Sequence, residues 1–215
     1  MKKIISLVLV VVMMVMALTS CNLVDKLLGK ESAETRYTIT ADEWEAAMGM
    51  KNYTMEGTTT QSATMGDEKQ ENVSTSISKY SENAEYYKSV DNGNSNEYYN
   101  IIKDGKSYRV NVLEDGSTSA YEYEWETSAF GEGLDVAFED LTYDEEKKAY
   151  IFNINDFVEG TYEMYFENGK VVKIVMSGSY EMEYSGMKMS VTLSAEMIVS
   201  NIGTTVVNVP EFTVE

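Results

Sequence analysis

The chain has 215 residues, 17 of them basic and 36 acidic, with one cysteine, one proline and no histidine. The first twenty residues hold two lysines and no acid, so the remainder stands at −21, a field that repels nucleic acid and anionic headgroups. Without histidine there is no Ser-His or Cys-His nucleophile pair and no common zinc site, and a single cysteine makes no intrachain disulfide.

Lys2 and Lys3 open a basic start, and Ile4 to Leu18 is almost unbroken apolar sequence. Leu18-Thr19-Ser20-Cys21 follows. The apolar run is short and ends abruptly for a span, which needs about 20 apolar residues. This pattern resembles a bacterial lipoprotein signal with its lipobox. The resemblance implies cleavage before Cys21 and a diacylglycerol on its thiol, which anchors the chain at the outer face of the cytoplasmic membrane. A secretory signal with an incidental cysteine and an uncleaved anchor helix are the alternatives. The expected division is a signal peptide over 1–20, a lipid anchor and tether over 21–36, and one β domain over 37–215.

Thr40-Ala-Asp-Glu43 is a capping box, and it predicts a helix running through Trp44 to Met48 and stopping at Gly49. Strands are expected over Asn52–Met65, Asn72–Tyr80 and Ala84–Val90. Asp104-Gly105 and Asp115-Gly116 read as two-residue hairpin turns. Folding there pairs Ile101 with Tyr108, Tyr99 with Val110, Val110 with Tyr121 and Tyr108 with Tyr123. That gathers Tyr99, Ile101, Tyr108, Val110, Val112, Tyr121, Tyr123 and Trp125 on one face. Residues 127–140, loosened by Gly131 and Gly133, are open to a short helix, a strand or a flap over the sheet.

A further strand is expected over Ala149–Ile154. A three-residue loop at Glu167-Asn168-Gly169 would then set Met164 opposite Val172 and Tyr162 opposite Ile174. From Met187 to Val199 every second residue is apolar, with Ile198 as the one apolar intruder between them. A turn at Ser185-Gly186 places Tyr184 opposite Met187, Met182 opposite Met189 and Tyr180 opposite Val191. Further along it sets Met176 opposite Ala195, Ile174 opposite Met197 and Val172 opposite Val199. The fold expected is mainly β: a long, curved antiparallel meander, half-barrel-like, with one N-terminal amphipathic helix.

Motifs for chemistry fail one by one. Ser76-Ile-Ser-Lys79 and Ser185-Gly-Met-Lys188 match Ser-x-x-Lys but fall on a strand and a hairpin, where a helix start is needed. Asp91–Asn96 lacks the glycine and glutamate of a calcium loop. Asp140, Asp144, Glu145 and Glu146 suit a solvated turn better than a metal. No catalytic constellation emerges, and no cofactor or metal site is expected.

A lipobox, a tether, one amphipathic helix and a long meander with an apolar face together resemble the LolA/LppX-like half-barrel lipid-carrier group. The ending Ile198-Val-Ser-Asn-Ile-Gly203 through Val207-Asn-Val-Pro210 is similar to how such chains finish. The resemblance implies a membrane-anchored extracytoplasmic lipoprotein whose sheet cups an apolar or lipid-like ligand. Tyr180, Met182, Tyr184, Met187, Met189 and Val191 are then the candidate lining residues, and Cys21 is the lipidation site. The alternative is a structural or protein-interaction lipoprotein with a closed core. One short helix cannot cover so long an apolar face, so the sheet must curl or something else must cover it.

Overall fold

The computed structural model of the chain describes residues 35–155, 159–184 and 187–214. The signal, Cys21, most of the tether and the turn at 185–186 lie outside the described residues. Eleven strands form one open, curved antiparallel sheet. They are β1 (Tyr53–Met65), β2 (Glu68–Ser81), β3 (Ala84–Asp91), β4 (Asn94–Lys103), β5 (Lys106–Val112), β6 (Thr118–Glu122), β7 (Thr142–Asp144), β8 (Ala149–Asn155), β9 (Glu159–Glu167), β10 (Lys170–Tyr184) and β11 (Met187–Ser200). Their order across the sheet is β6-β5-β4-β3-β2-β1-β11-β10-β9-β8-β7. The two halves are therefore meanders joined by β1 and β11 at the centre, and β6 and β7 are the two edges.

The helix α1 (Ala41–Met48) starts at the predicted capping box: Thr40 accepts from the Glu43 amide, and Glu43 reaches back to the Thr40 amide at 2.9 Å. Arg36 also grips the Glu43 carboxylate, and these bonds hold it well below the usual range, at about 2. Asn168, in the turn between β9 and β10, exchanges hydrogen bonds with the Arg36 backbone at 2.8 and 3.0 Å. These contacts set α1 over the β8–β10 flank, where Trp44 packs on Phe152 and Phe166.

Two apolar cores result, on opposite faces. On the first face Tyr53, Phe152, Met164, Phe166, Ile174 and Val199 are buried beneath α1 and the segment 128–141. On the second face Ala84, Ile101, Val110 and Ala120 are buried beneath Val207, Val209 and Phe212 of the C-terminal tail. The pairing Tyr53–Tyr80–Glu85–Asn100–Arg109 runs along the first face, and Ile101 and Val110 are the chain neighbours of Asn100 and Arg109. Side chains alternate along a strand, so the cores must lie on opposite sides. The tail also ties back at its start, where Thr205 and Thr54, both buried, share a hydrogen bond of 3.0 Å.

Most predicted pairs are present. Ile101 faces Tyr108 across an Asp104-Gly105 turn with both residues at positive φ. Tyr184 faces Met187, Met182 faces Met189, Tyr180 faces Val191, Met176 faces Ala195 and Ile174 faces Met197.

Two registers differ from expectation. After β5 the turn is longer by one residue: Leu113 donates to the Ser117 carbonyl, and only Gly116 has positive φ. The Asp115 carboxylate takes the Ser117 amide and hydroxyl, at 2.9 and 2.6 Å, which shapes this wider loop and lowers its pKa. Val110 therefore pairs with Ala120, and Tyr108 with Glu122. The single step sends Tyr121 and Tyr123 to the face opposite Val110, with Tyr121 41% exposed, while Ala120 is 1% exposed. Between β9 and β10 the turn is the shorter Asn168-Gly169, both residues at positive φ, and a bulge follows at Val172. Met164 therefore pairs with Ile174 and Tyr162 with Met176, two positions from the expected register. A shift of two keeps the face, and the bulge buries Val171 completely while leaving Val172 half-buried.

The alternation on β11 is testable at its one irregular step. Val199 is 4% exposed and Ile198 is 47% exposed. Val199→Asn should cost about 3 kcal/mol or more, the lost apolar burial plus a buried amide with no partner. Ile198→Asn should cost under about 1 kcal/mol. Urea midpoints of the two variants measure the difference; similar losses would mean that the facing pattern is wrong.

Candidate functional site

The link from β6 to β7, residues 123–141, joins opposite edges of the sheet. Ten strand spacings amount to roughly 48 Å, and this length of chain reaches about 60 Å when extended, so it crosses the sheet with little slack. It runs over the first face as a strap. Its only regular element is a single 3-10 turn at Phe138–Asp140, so it forms neither the short helix nor the strand left open by the sequence.

Backbone bonds pin the strap beside α1: Phe130 donates to the Met50 carbonyl and Gly131 to the Met48 carbonyl, each at 2.9 Å. At Gly131 a Cβ would come within 2.7 Å of the Met48 Cβ and sulfur, so the close approach requires glycine. Phe130 meets the Tyr53 ring edge-on at 5.2 Å. Leu134, Val136 and Phe138 pack on the first core.

Between strap and sheet lies a cavity of about 340 Å³, within the range of small-molecule sites. Its floor is Met55, Tyr162, Met164, Ile174 and Met197 on the central and later strands, with Tyr53, Tyr80 and Glu85 toward β3. Its roof is Trp125, Ser128, Ala129, Phe130, Glu132 and Leu134 of the strap. Tyr53 and Tyr80 stack at 4.5 Å. Burial, then the neighbouring Glu85 carboxylate, pushes the Tyr80 phenol up to about 12. Burial pushes Tyr53 up further in the same direction, with Tyr80 and Glu85 adding to it. These phenols stay neutral, in a poorly hydrated wall.

Glu85 is held by Asn100, which donates to its Oε2 at 2.7 Å, and Asn100 is itself buried. Arg109 donates through Nε to Asn100 Oδ1 at 2.9 Å. Its guanidinium lies between the rings of Tyr98 and Tyr123, at 4.4 and 4.2 Å. Arg109 does not line the cavity, and among the described residues neither does any other lysine or arginine. Among the described residues no group of acids and cysteine gathers in the manner of metal ligands.

Four of the six lining candidates, Tyr180, Met182, Met189 and Val191, have described side chains. Tyr180, Met182, Met189 and Val191 pair across β10 and β11 on the first face, toward the far hairpin end, and the backbones of Tyr184 and Met187 pair beyond them. Val191 is buried, Tyr180 and Met189 are half-buried and Met182 is exposed. None of these four lines the strap cavity. Tyr53, Tyr80, Glu85 and Phe130 line it and were not singled out in the sequence. The available signal was the strap itself: large apolar residues at wide, irregular spacing in a glycine-loosened segment.

No family model matches the chain, and no curated protein matches it. Solved structures similar to it include an outer membrane lipoprotein-sorting protein domain from Vibrio parahaemolyticus, at 10% identity and TM-score 0.25, covering 74% of this chain and 87% of that one. A LolA superfamily protein from Nitrosomonas europaea has 10% identity and TM-score 0.26, covering 80% and 96%. An S-type phycobiliprotein lyase from Guillardia theta has 10% identity and TM-score 0.26, covering 74% and 93%. The group that the sequence resembles is thus present among them, but likenesses at this level carry no argument on function.

The strap's seat on α1 makes a structural test. Gly131→Val should displace the strap from Met48 and speed hydrogen exchange at the Phe130 and Gly131 amides by about tenfold or more, as a local opening. The amides of β10 and β11 should keep their protection. Unchanged exchange at both strap amides would show that the close approach at Gly131 does not hold the strap.

Proposed function

We propose that the chain is an extracytoplasmic lipoprotein, anchored through Cys21, that holds a small apolar ligand between its sheet and its strap. The observation that carries this reading is the strap cavity. It lies between aromatic and methionine side chains of the sheet and aromatic and apolar side chains of the strap, against the first core. Methionine suits such a wall because its unbranched chain adapts to irregular contents, and Met55, Met164 and Met197 all line it. The acidic surface keeps the domain in solution above the membrane while the anchor holds it nearby. A single acyl chain anchors marginally, and the two chains of a diacylglycerol anchor stably.

Purified, lipid-stripped protein should bind the neutral probe N-phenyl-1-naphthylamine saturably, about one per chain. Leu134→Trp should weaken that binding by about tenfold, because it fills the space the ligand occupies. Absence of saturable binding would favour the rival reading, a protein-interaction lipoprotein whose interior is only a core. The anchor is tested separately. Cys21→Ser should shift the protein from the membrane fraction to the medium or leave an unprocessed precursor. A processed variant still on the membrane would exclude Cys21 as the anchor.

A further inference from the structure

The charges around the strap cavity bear on what it holds, given the reading that it holds a ligand at all. Among the described residues its ionisable lining groups other than tyrosine are two carboxylates, Glu85 on β3 and Glu132 on the strap, with no lysine or arginine. Glu85 is fixed in place: Asn100, itself buried, donates to one oxygen. Glu132 accepts from the Ala129 amide at 3.2 Å, which keeps it on the strap's inner turn. Around them stand the rings of Tyr53, Tyr80, Phe130 and Trp125. Aromatic faces are negative and attract cations within about 6 Å of the ring. Glu85 is half-buried, so its carboxylate acts at lower effective dielectric than one on an open surface and its field on a bound head group is the stronger, while Glu132 is exposed and adds less. Arg109 is one step removed, behind Asn100, and its guanidinium is occupied by two tyrosine rings outside the cavity. The chain beyond residue 20 carries −21 overall, which adds to the same sign.

A free fatty acid would bring its own carboxylate into this field and find no cation to meet it. We infer that the strap cavity selects apolar ligands with a cationic head, an alkylammonium or related organic cation, over neutral or anionic ligands of the same chain length. Glu85 holds the head among the aromatic rings, and the apolar part lies toward Met55, Ile174 and Met197.

The test is calorimetric titration of the purified full chain at pH 7.5 with octyltrimethylammonium, 1-octanol and octanoate, which share a chain and differ in charge. The cation should bind about tenfold more tightly than the alcohol, and octanoate should bind weakest. Glu85→Gln keeps the size of the side chain and an acceptor for Asn100. It should reduce the preference for cation over alcohol by about fivefold, read as the ratio of the two affinities in the one variant, with an unchanged urea midpoint showing that the variant folds. Glu132→Gln, at an exposed position on the strap, should reduce the preference by a smaller factor. Equal affinity for all three ligands, or a preference for octanoate, overturns charge selection and leaves the apolar-ligand reading standing. A failure to bind any of them, together with no binding of the neutral naphthylamine probe, overturns both.

Discussion

An open sheet has two faces and no second sheet to cover either, so whatever apolar surface it gathers must be covered by chain that is not strand. That requirement organises this molecule. The described pieces available for it are α1 with its lead-in from Arg36, the strap at 123–141 and the tail after β11. Strand order fixes where two of them go. The strap must pass from edge to edge because β6 and β7 are the two outermost strands. The tail leaves the centre of the sheet and reaches the β6 edge, where Val214 bridges Ala120. Had the strap and tail used the same face, the other would have remained wet. Instead each covers one face, and the apolar residues of the two halves point accordingly.

The coverage on the first face is uneven, and the cavity follows from that unevenness. Where α1 lies, Trp44 fills the space over Phe152 and Phe166. Where the strap lies alone, it carries Ser128, Ala129 and two glycines between Trp125 and Leu134, so little side-chain volume hangs down. Phe130 reaches Tyr53, but nothing comparable reaches Met55 or Met197. The same glycine that lets the strap sit against Met48 leaves room beneath it. A packed interior would have gained about 1.5–3 kcal/mol for each further large apolar side chain, a benefit this sequence forgoes beneath the strap.

Local periodicity made much of the sheet legible. The alternation from Met187 to Val199, and the positive-φ turn at Asp104-Gly105, fix their pairs from neighbouring residues alone. What sequence left unresolved were the places where one residue changes parity. The Asp115 side chain closes its own loop and adds one residue to the turn, and Tyr121 and Tyr123 then leave the face they share with Val110 in the alternation. Near Asn168 a shorter turn and the Val172 bulge shift the register by one each, and their sum of two preserves the face. Errors of parity are visible only when the turn's hydrogen bonds are known. The opposed placement of the two cores was hidden for the same reason: it depends on every register from β1 to β5 at once. The cavity was hidden because its roof has no period at all, and a segment without a repeat gives no indication of which side chains point down. The β10–β11 hairpin, by contrast, has the most regular alternation in the chain, which drew attention to the side chains at its end rather than to the strap.

The first face also changes character across its width, and the cavity lies on the boundary. From β9 to β11 it is Met164, Ile174 and Met197, apolar throughout. From β3 to β5 it is Glu85, Asn100 and Arg109, a hydrogen-bonded row that ends in a guanidinium between two tyrosines. The Tyr53–Tyr80 stack divides the two regions. Burial raises both phenol pKa values, and the Glu85 carboxylate adds to each. A cavity built across such a boundary has an apolar end and a charged end, with aromatic rings between them. That gradient follows from strand register alone: a slip of one residue between β2 and β3 would bring Ala84 beside Tyr80 in place of Glu85 and leave the cavity without its fixed charge.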